Sequence, residues 1–264
     1  MGCPMNLSVA KYSHRGGRLV NEDYLGFCAN DSIGCFVLAD GTGGYQGGAQ
    51  ASEAVVKHIL DVFAIQPAVT PDMIHASLGL AKEALNAVKR QHPEFTHMNT
   101  TVATLMLDAH RRISYWSHLG DSRIYLFRHG RARQLTRDHS VLQSMIDAGF
   151  ASGSSRGNTE RNTLYASVGS VEVPQQAVSA SALMLESGDA FLLCSDGFWE
   201  SVDENCMESA LRQSGSSAQW LDEMVRTITT IDDGSRDNLS AMAVWVGEQE
   251  ETTRIQTFPV HEGQ

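Results

Sequence analysis

The sequence has no run of 18 or more apolar residues, so no helix of it is expected to span a bilayer. No apolar stretch of secretory type follows Met1, which argues against export. Met1-Gly2-Cys3 invites an acylation reading, but position 6 is Asn6 and not the Ser or Thr of that pattern. Cysteine is sparse: Cys3, Cys28, Cys35, Cys194 and Cys206 are odd in number and never spaced as C-x-x-C. That excludes a disulfide framework and a cysteine zinc site as first readings, and makes a reducing cytoplasm the simplest compartment. Positive charge is also short, with 20 Lys and Arg against 31 Asp and Glu, a formal net charge of −11. A basic face for nucleic acid or for an anionic membrane is not expected. There is no internal repeat and no long low-complexity linker.

What is present is the composition of a folded domain. The 264 residues are 42% hydrophobic and 19% charged, enough for one large core or two small ones. Gly34 to Ala39 and Ala190 to Cys194 are short apolar runs that read as buried strands, and Leu239 to Val246 reads as a final strand. Ala49 to Ile65 carries Val55, Ile59 and Val62 at helical spacing. Thr70-Pro71-Asp72 is a helix start, followed by an Ile74, Leu78, Ala81, Leu85 and Val88 stripe that closes on Lys89-Arg90. Thr101 to Asp108, Arg112 to Leu119 and Arg123 to Arg128 are β-branched and aromatic runs between turn-prone pieces, which predicts an antiparallel meander. Ser140 to Ala148 predicts a short helix ended by Gly149. Glu204 to Arg212 and Ala218 to Ile231 also read as helices. Ala151 to Thr163 is polar and aperiodic, a candidate surface loop, and residues 248–264 form a polar tail. The order is not regular βαβ alternation, and it predicts an α+β architecture with antiparallel sheet and helices on its faces.

The acidic residues sit in an informative pattern. Asp40-Gly41 ends one apolar run, Gly120-Asp121 another and Asp196-Gly197 a third. Asp237-Asn238 stands before the last strand, and Glu22-Asp23 precedes Tyr24 to Phe27. Taken singly, each is an ordinary turn, since Asp-Gly is a favoured turn pair. Taken together, strands packed in one core could bring these ends to one edge. Carboxylates gathered there would repel one another unless cations neutralised them. Oxygen ligands without a Cys or His set favour Mg²⁺, Mn²⁺ or Ca²⁺, and Gly41 would let the backbone approach such an ion. The glycines at 41, 43, 44, 47 and 48 could instead cradle a phosphate, but no Gly-Lys-Ser or Gly-Lys-Thr follows and the spacing is not G-x-G-x-x-G.

Six motifs in order carry a family resemblance: Arg18-Leu19-Val20-Asn21-Glu22-Asp23, Val37 to Gly44, Gly120-Asp121-Ser122-Arg123, Leu135 to Ser140, Ser195-Asp196-Gly197 and Arg236-Asp237-Asn238. From about Ser8 to Val246 the chain resembles the metal-dependent PP2C-type (PPM) serine/threonine protein phosphatases in their compact bacterial form. The resemblance implies a four-layer α/β/β/α sandwich of two antiparallel sheets flanked by helices, with the metal centre at one end. It implies a phosphatase domain over residues 1–247, a flap at about 139–170 beside the cleft, and the tail outside the domain. It implies two or three Mn²⁺ or Mg²⁺ ions. Asp40 would bridge two of them, the Gly41 carbonyl would bind one, and Asp196 and Asp237 would complete the first site. Glu22 and Asp23 would support the second ion, mostly through water, and Asp121 with Asp196 would serve a third. Arg18 would grip the substrate phosphate.

The implied chemistry is hydrolysis of phosphoserine and phosphothreonine in proteins by a water bridging two metals, opposing a serine/threonine kinase. Such a reaction needs large electrostatic help, which two metals and a forked arginine contact can give. One position departs from the eukaryotic pattern: Thr42 stands where a proposed acid histidine follows Asp-Gly. His139 is a tempting substitute, although a local flap contact is the commoner role for such a residue. His118, inside an apolar run, reads as a satisfied core residue. Two alternatives remain at this point: a weakly active phosphatase-like module that binds phosphoproteins, and a phosphatase acting on an anti-sigma-factor antagonist. A monomeric cytoplasmic protein is expected, with phosphoproteins and a cognate kinase as partners.

Overall fold

Alternation of apolar residues along the strands, and apolar stripes along the helices, assemble three stacked cores. The computed structural model describes residues 6–42, 47–95, 97–150, 163–231 and 236–247. The chain opens with β1 (Leu7–His14), β2 (Asp23–Ala29) and β3 (Ile33–Thr42). The β2–β3 turn is fixed by Asn30, whose side-chain oxygen accepts from the Ser32 and Ile33 amides, a local bond that Asn makes well. Next come α1 (Gly47–Ile65) and α2 (Pro71–Gln91). The Thr70 hydroxyl accepts from the Met73 amide at 3.2 Å, so α2 starts where the sequence predicts. The middle of the chain gives β4 (Asn99–Thr100), β5 (Val102–Asp108), β6 (Ile113–Leu119), β7 (Arg123–Arg128), β8 (Arg131–Gln134) and α3 (Val141–Asp147). The last third gives β9 (Leu183–Met184), β10 (Ala190–Cys194), α4 (Asp196–Ser201), α5 (Glu204–Gln213), α6 (Ser217–Ile231) and β11 (Leu239–Val246).

Two antiparallel sheets result. One has the order β1-β11-β10-β7-β8, and the other β2-β3-β5-β6-β9 with β4 on β3. Along β3, Phe36 and Leu38 face the opposite sheet, where they meet Phe191 and Leu193 of β10 and Met242 and Val244 of β11. Cys35, Val37 and Ala39 face the other way, under Val55, Ile59 and Phe63 of α1 and Ile74 and Leu78 of α2. On the far side, Leu192, Ala243 and Trp245 pack against Trp220, Met224 and Ile228 of α6 and Met207 of α5. The period of two in the strands therefore separates helix-facing from sheet-facing side chains, and the layers run α/β/β/α. This is the α+β sandwich that the resemblance implies.

Two expectations are corrected in detail. The three middle strands do not form one meander: β5 and β6 pair in one sheet, whereas β7 pairs β10 and β8 in the other. The chain changes sheets through Gly120, whose φ of +102° is a glycine conformation and whose added Cβ would come within 2.6 Å of Thr101 Cγ2. Asp196-Gly197, read as a turn pair, opens the short helix α4 instead. An acid in the first turn suits a helix N-terminus as well as it suits a turn. The expected loop lies outside the described residues except for Thr163, as do Gly43, Gly44, the tail and Cys3.

Phe36 is wholly buried between the two sheets. Phe36→Ala is expected to lower unfolding free energy by about 3–5 kcal/mol in a urea titration; a loss under about 1 kcal/mol would contradict the central placement of that layer.

Candidate metal centre

The site begins with the register of the β2–β3 hairpin. Asp23 and Asp40 are direct cross-strand partners at its open end. The neighbouring Gly41 amide donates to Glu22 O at 3.1 Å, so the Asp23–Asp40 pair falls at the closer, non-hydrogen-bonded position of the ladder. The Asp40 backbone is then clamped from β4 and the residue after it. Its amide donates to Thr101 Oγ1 at 2.9 Å, and its carbonyl accepts from the Thr101 amide at 2.8 Å and from Thr100 Oγ1 at 2.9 Å. Gly41 is required next to it: a Cβ there would lie 2.1 Å from Gly48 O and 2.8 Å from Glu22 O.

The remaining acids arrive from other strand ends. Asp196 caps the end of β10 and starts α4, where it accepts from the Gly197 amide at 2.6 Å. Gly197 also has no room for a side chain, because its Cβ would meet Asn238 O at 2.1 Å. That close approach brings the Asp196 turn against the Asp237-Asn238 segment leading into β11. Asn238 stitches the 15–22 loop to the same place, accepting from the Glu22 amide at 2.8 Å and donating to Arg15 O and Val20 O. Gly16, at φ +58°, packs against Asp237 O. This folds Arg18 back so that its Nη2 reaches Asp237 Oδ2 at 2.6 Å, with the Arg18 side chain still 60% exposed. Asp121 enters from the β6–β7 crossing and is 7% exposed. Ser195 Oγ donates to Asp23 Oδ2 at 2.9 Å and itself accepts from the Ser240 amide.

Charge is concentrated here without matching countercharge. Burial, and then the charges of Asp23, Asp196 and Asp121, hold the Asp40 carboxyl well above the carboxylate range. Asp40 and Asp196 lie close enough for each to act on the other's titration. Burial pushes Asp23 up to about 7 and Asp121 up to about 8, with Asp196 adding to both. Asp196 is raised by burial and by Asp237. Glu22 is raised by burial, against the pull of Arg18. Asp196 thus acts on Asp23, Asp40 and Asp121, Asp237 acts on Glu22, Asp23 and Asp196, and Arg18 lies among them.

Among the described residues, no group of three His, Cys, Asp or Glu side chains is pre-arranged to hold an ion. Asp237 is bonded to Arg18, and Asp196 to the Gly197 amide. The donor set still fits a hard divalent cation. It is all oxygen, and Glu22 Oε1 and Asp23 Oδ1 are buried with no hydrogen-bond partner. A buried acceptor without a donor is costly, and a cation would satisfy both.

Several supporting residues give no sequence signal as site members: Thr100, Thr101, Gly16, Ser240 and the hydrogen-bonding role of Asn238, while Gly48 is legible only as part of the glycine-rich run. Gly48 would place a Cβ 2.3 Å from Glu22 Oε1, so the Glu22 carboxylate sits hard against the start of α1. The two histidines are buried, as expected of His118, but neither is fully satisfied: His118 Nδ1 and His139 Nε2 have no hydrogen-bond partner. His118 and His139 are each 1% exposed and stack with centroids 4.4 Å apart. His118 Nε2 bonds Arg137 O, and His139 Nδ1 accepts from the Gly120 amide at 3.3 Å. Burial, with His118 adjacent, pushes His139 down to about 3, so at neutral pH it carries no imidazolium proton to deliver.

Comparison with known proteins agrees with this geometry. The family model described as protein phosphatase 2C matches residues 11–242. The chain is 29% identical over 234 residues to the serine/threonine phosphatase stp of Listeria welshimeri, covering 85% of this chain and 89% of that one. It superposes on the crystal structure of the Mycobacterium tuberculosis serine/threonine phosphatase PstP/Ppp with a TM-score of 0.77 at 27% identity, covering 92% of this chain and all (100%) of that one. A structure of the PstP catalytic domain in complex with two manganese ions superposes with a TM-score of 0.78 at 26% identity, covering 92% of this chain and 100% of that one. The chain belongs to the protein phosphatase 2C family. It is a protein serine/threonine phosphatase, and a divalent-metal-dependent one.

The raised carboxyls make a stability prediction for the metal-free protein. Asp23 at about 7 and Asp121 at about 8 lie above the ordinary value of 3.8, so the folded state keeps protons that the unfolded chain has released. That contribution is full at low pH and is lost as pH rises through the folded values. His118 and His139, both lowered by burial, act in the opposite sense, but their effect is complete above about pH 6.5. With chelator present, the melting temperature is expected to fall from about pH 6.5 to about pH 9, and saturating Mn²⁺ to flatten that slope. A chelated protein whose melting temperature holds or rises across this window would contradict it.

Proposed function

We propose that the carboxylate end of the sandwich holds two divalent ions tightly and a third more weakly, Mn²⁺ or Mg²⁺. The phosphatase so formed opposes a cognate serine/threonine kinase. Asp40 would bridge the first two ions and Gly41 would offer its carbonyl. Asp196 and Asp237 would complete one site, Glu22 and Asp23 would support the other through water, and Asp121 with Asp196 would serve the third. The observation that carries this reading is the meeting of six acids from distant parts of the chain, two of them with buried oxygens that no donor satisfies. When bound, the ions supply countercharge and the activation of water at neutral pH.

The chain's own residues do the rest. The Arg18 guanidinium is exposed and rests on Asp237. An arriving phosphoryl group offers it two oxygens in place of one, a forked contact that neutralises charge as the ester oxygen departs. Thr42 is a poor acid and His139 is neutral and buried, which supports solvent as the source of the proton for the leaving oxygen. We read residues 1–247 as the phosphatase domain and 139–170 as its flap, the segment that selects among phosphoproteins. In the described part of that segment, the Tyr165 amide bonds His139 O and the Val141 amide bonds Thr163 O, tying its two ends together. Among the described residues no helix is long and apolar enough to cross a membrane, and Cys28, Cys35, Cys194 and Cys206 are free thiols. The free thiols suit the reducing cytoplasm in which we place the protein; a monomer is our reading of its oligomeric state.

Two substitutions test the assignment. Asp40→Asn and Asp196→Asn should each lower kcat on p-nitrophenyl phosphate with Mn²⁺ by about 100-fold or more, the scale of losing one electrostatic element of a site. The metal-free melting temperature should hold or rise, because one buried repulsion is removed. Full activity in either variant would refute the ligand assignment, and a wild-type protein inert at all Mn²⁺ concentrations would favour a phosphoprotein-binding module. Arg18→Ala should reduce kcat/KM on a phosphothreonine peptide by about 10–100-fold, the worth of a charged hydrogen-bond pair; an unchanged value would remove Arg18 from the phosphate site.

A further inference from the structure

Asp121 is braced by side chains that the ligand set does not use. Its backbone carbonyl accepts from Trp199 Nε1 at 3.0 Å. Trp199 sits on α4, one helical turn beyond Asp196. The Arg123 guanidinium lies over the Trp199 ring, 3.4 Å from its centroid. Arg123 is in turn held by a two-point contact to Asp138, at 2.9 and 2.7 Å, and by a 2.9 Å bond to the Tyr125 hydroxyl. Asp138 is buried, and Gln134 Nε2 bonds it at 3.2 Å.

This arrangement has a directional logic. An indole N–H is a donor only, and here it serves Asp121 O. The stacked guanidinium, fixed from behind by Asp138, sets the plane of the ring. Asp121 and Asp196 stand on separate segments, the β6–β7 crossing and the start of α4. Trp199 ties the backbone of one to the helix that begins with the other.

We propose that Trp199 is a positioning residue that fixes the Asp121 turn against the Asp196 helix, and so sets how tightly a divalent ion is held between those two carboxylates. This rests on reading Asp121 and Asp196 as ligands. Arg123 and Asp138 act through Trp199, by locking its ring.

Mn²⁺ titration calorimetry on the full chain tests it, with wild type, Trp199→Phe, Trp199→Leu and Asp121→Asn compared. Phenylalanine keeps a face for Arg123 and loses the N–H. In Trp199→Phe the weaker class of Mn²⁺ sites should show a Kd raised about threefold to tenfold, the worth of one hydrogen bond, with the tighter class and the melting temperature little changed. Trp199→Leu should weaken the same class further, and Asp121→Asn should abolish it. Wild-type affinity in Trp199→Phe would overturn the proposal. So would a parallel weakening of both classes with a lowered melting temperature, which is what a merely structural role gives. If Asp121→Asn leaves every site intact, or wild type shows no weaker class, the ligand reading itself fails and the brace fails with it.

Discussion

Like charges crowded into one recess are the constraint around which this molecule is built. Glu22, Asp23, Asp40, Asp121, Asp196 and Asp237 share the open end of the sandwich. Two unit charges about 4 Å apart repel by about 4 kcal/mol at an effective dielectric of about 20. Arg18 reaches only Asp237, and Arg123 is committed to Asp138. In the absence of matching countercharge the carboxyls of Asp23, Asp40, Asp121 and Asp196 are all held above the ordinary range, which favours their protonated forms. Divalent cations held here would supply that countercharge as fixed charge, which is also what a dianionic phosphate ester needs in order to approach.

The sandwich holds this unfavourable set in place because its cost is spread over an extensive scaffold. β2 and β3 present Asp23 and Asp40 side by side, while β10 and β11 hand over Asp196 and Asp237 from the other sheet. Between them, backbone meets backbone at distances that only glycine permits, Gly41 on Gly48 and Gly197 on Asn238. Threonine and serine hydroxyls then fix the carboxylate-bearing main chain from below, as Thr101 does for Asp40 and Ser195 for the Asp23 side chain. The interior between the sheets, filled by Phe36, Leu38, Phe191 and Met242, resists relaxation of the strand ends away from one another.

Much of this is legible in the chain. The short continuous apolar runs of β3 and β11 and the capped stripe of α2 declare their elements, because run length and cap are local properties. The acids are legible only as an ordered set, since each Asp-Gly alone is an ordinary turn. What stays hidden depends on tertiary pairing. β-propensity in Arg123 to Arg128 says strand and not which sheet, and only Gly120 hints at the crossing. Asn238 bonds Glu22 across 216 positions and Trp199 bonds Asp121 across 78, so no window of sequence could reveal either contact. Asp196 looked like a turn because the first turn of a short helix has the same composition.

The most direct measurement of the central claim is anomalous diffraction from crystals of the protein grown with Mn²⁺. The account predicts two strong peaks flanking the Asp40 carboxylate, within ligand distance of Asp196, Asp237 and Gly41 O, and a weaker peak beside Asp121. Ions bound elsewhere, or an Asp40 carboxylate with no anomalous density beside it at saturating Mn²⁺, would contradict it.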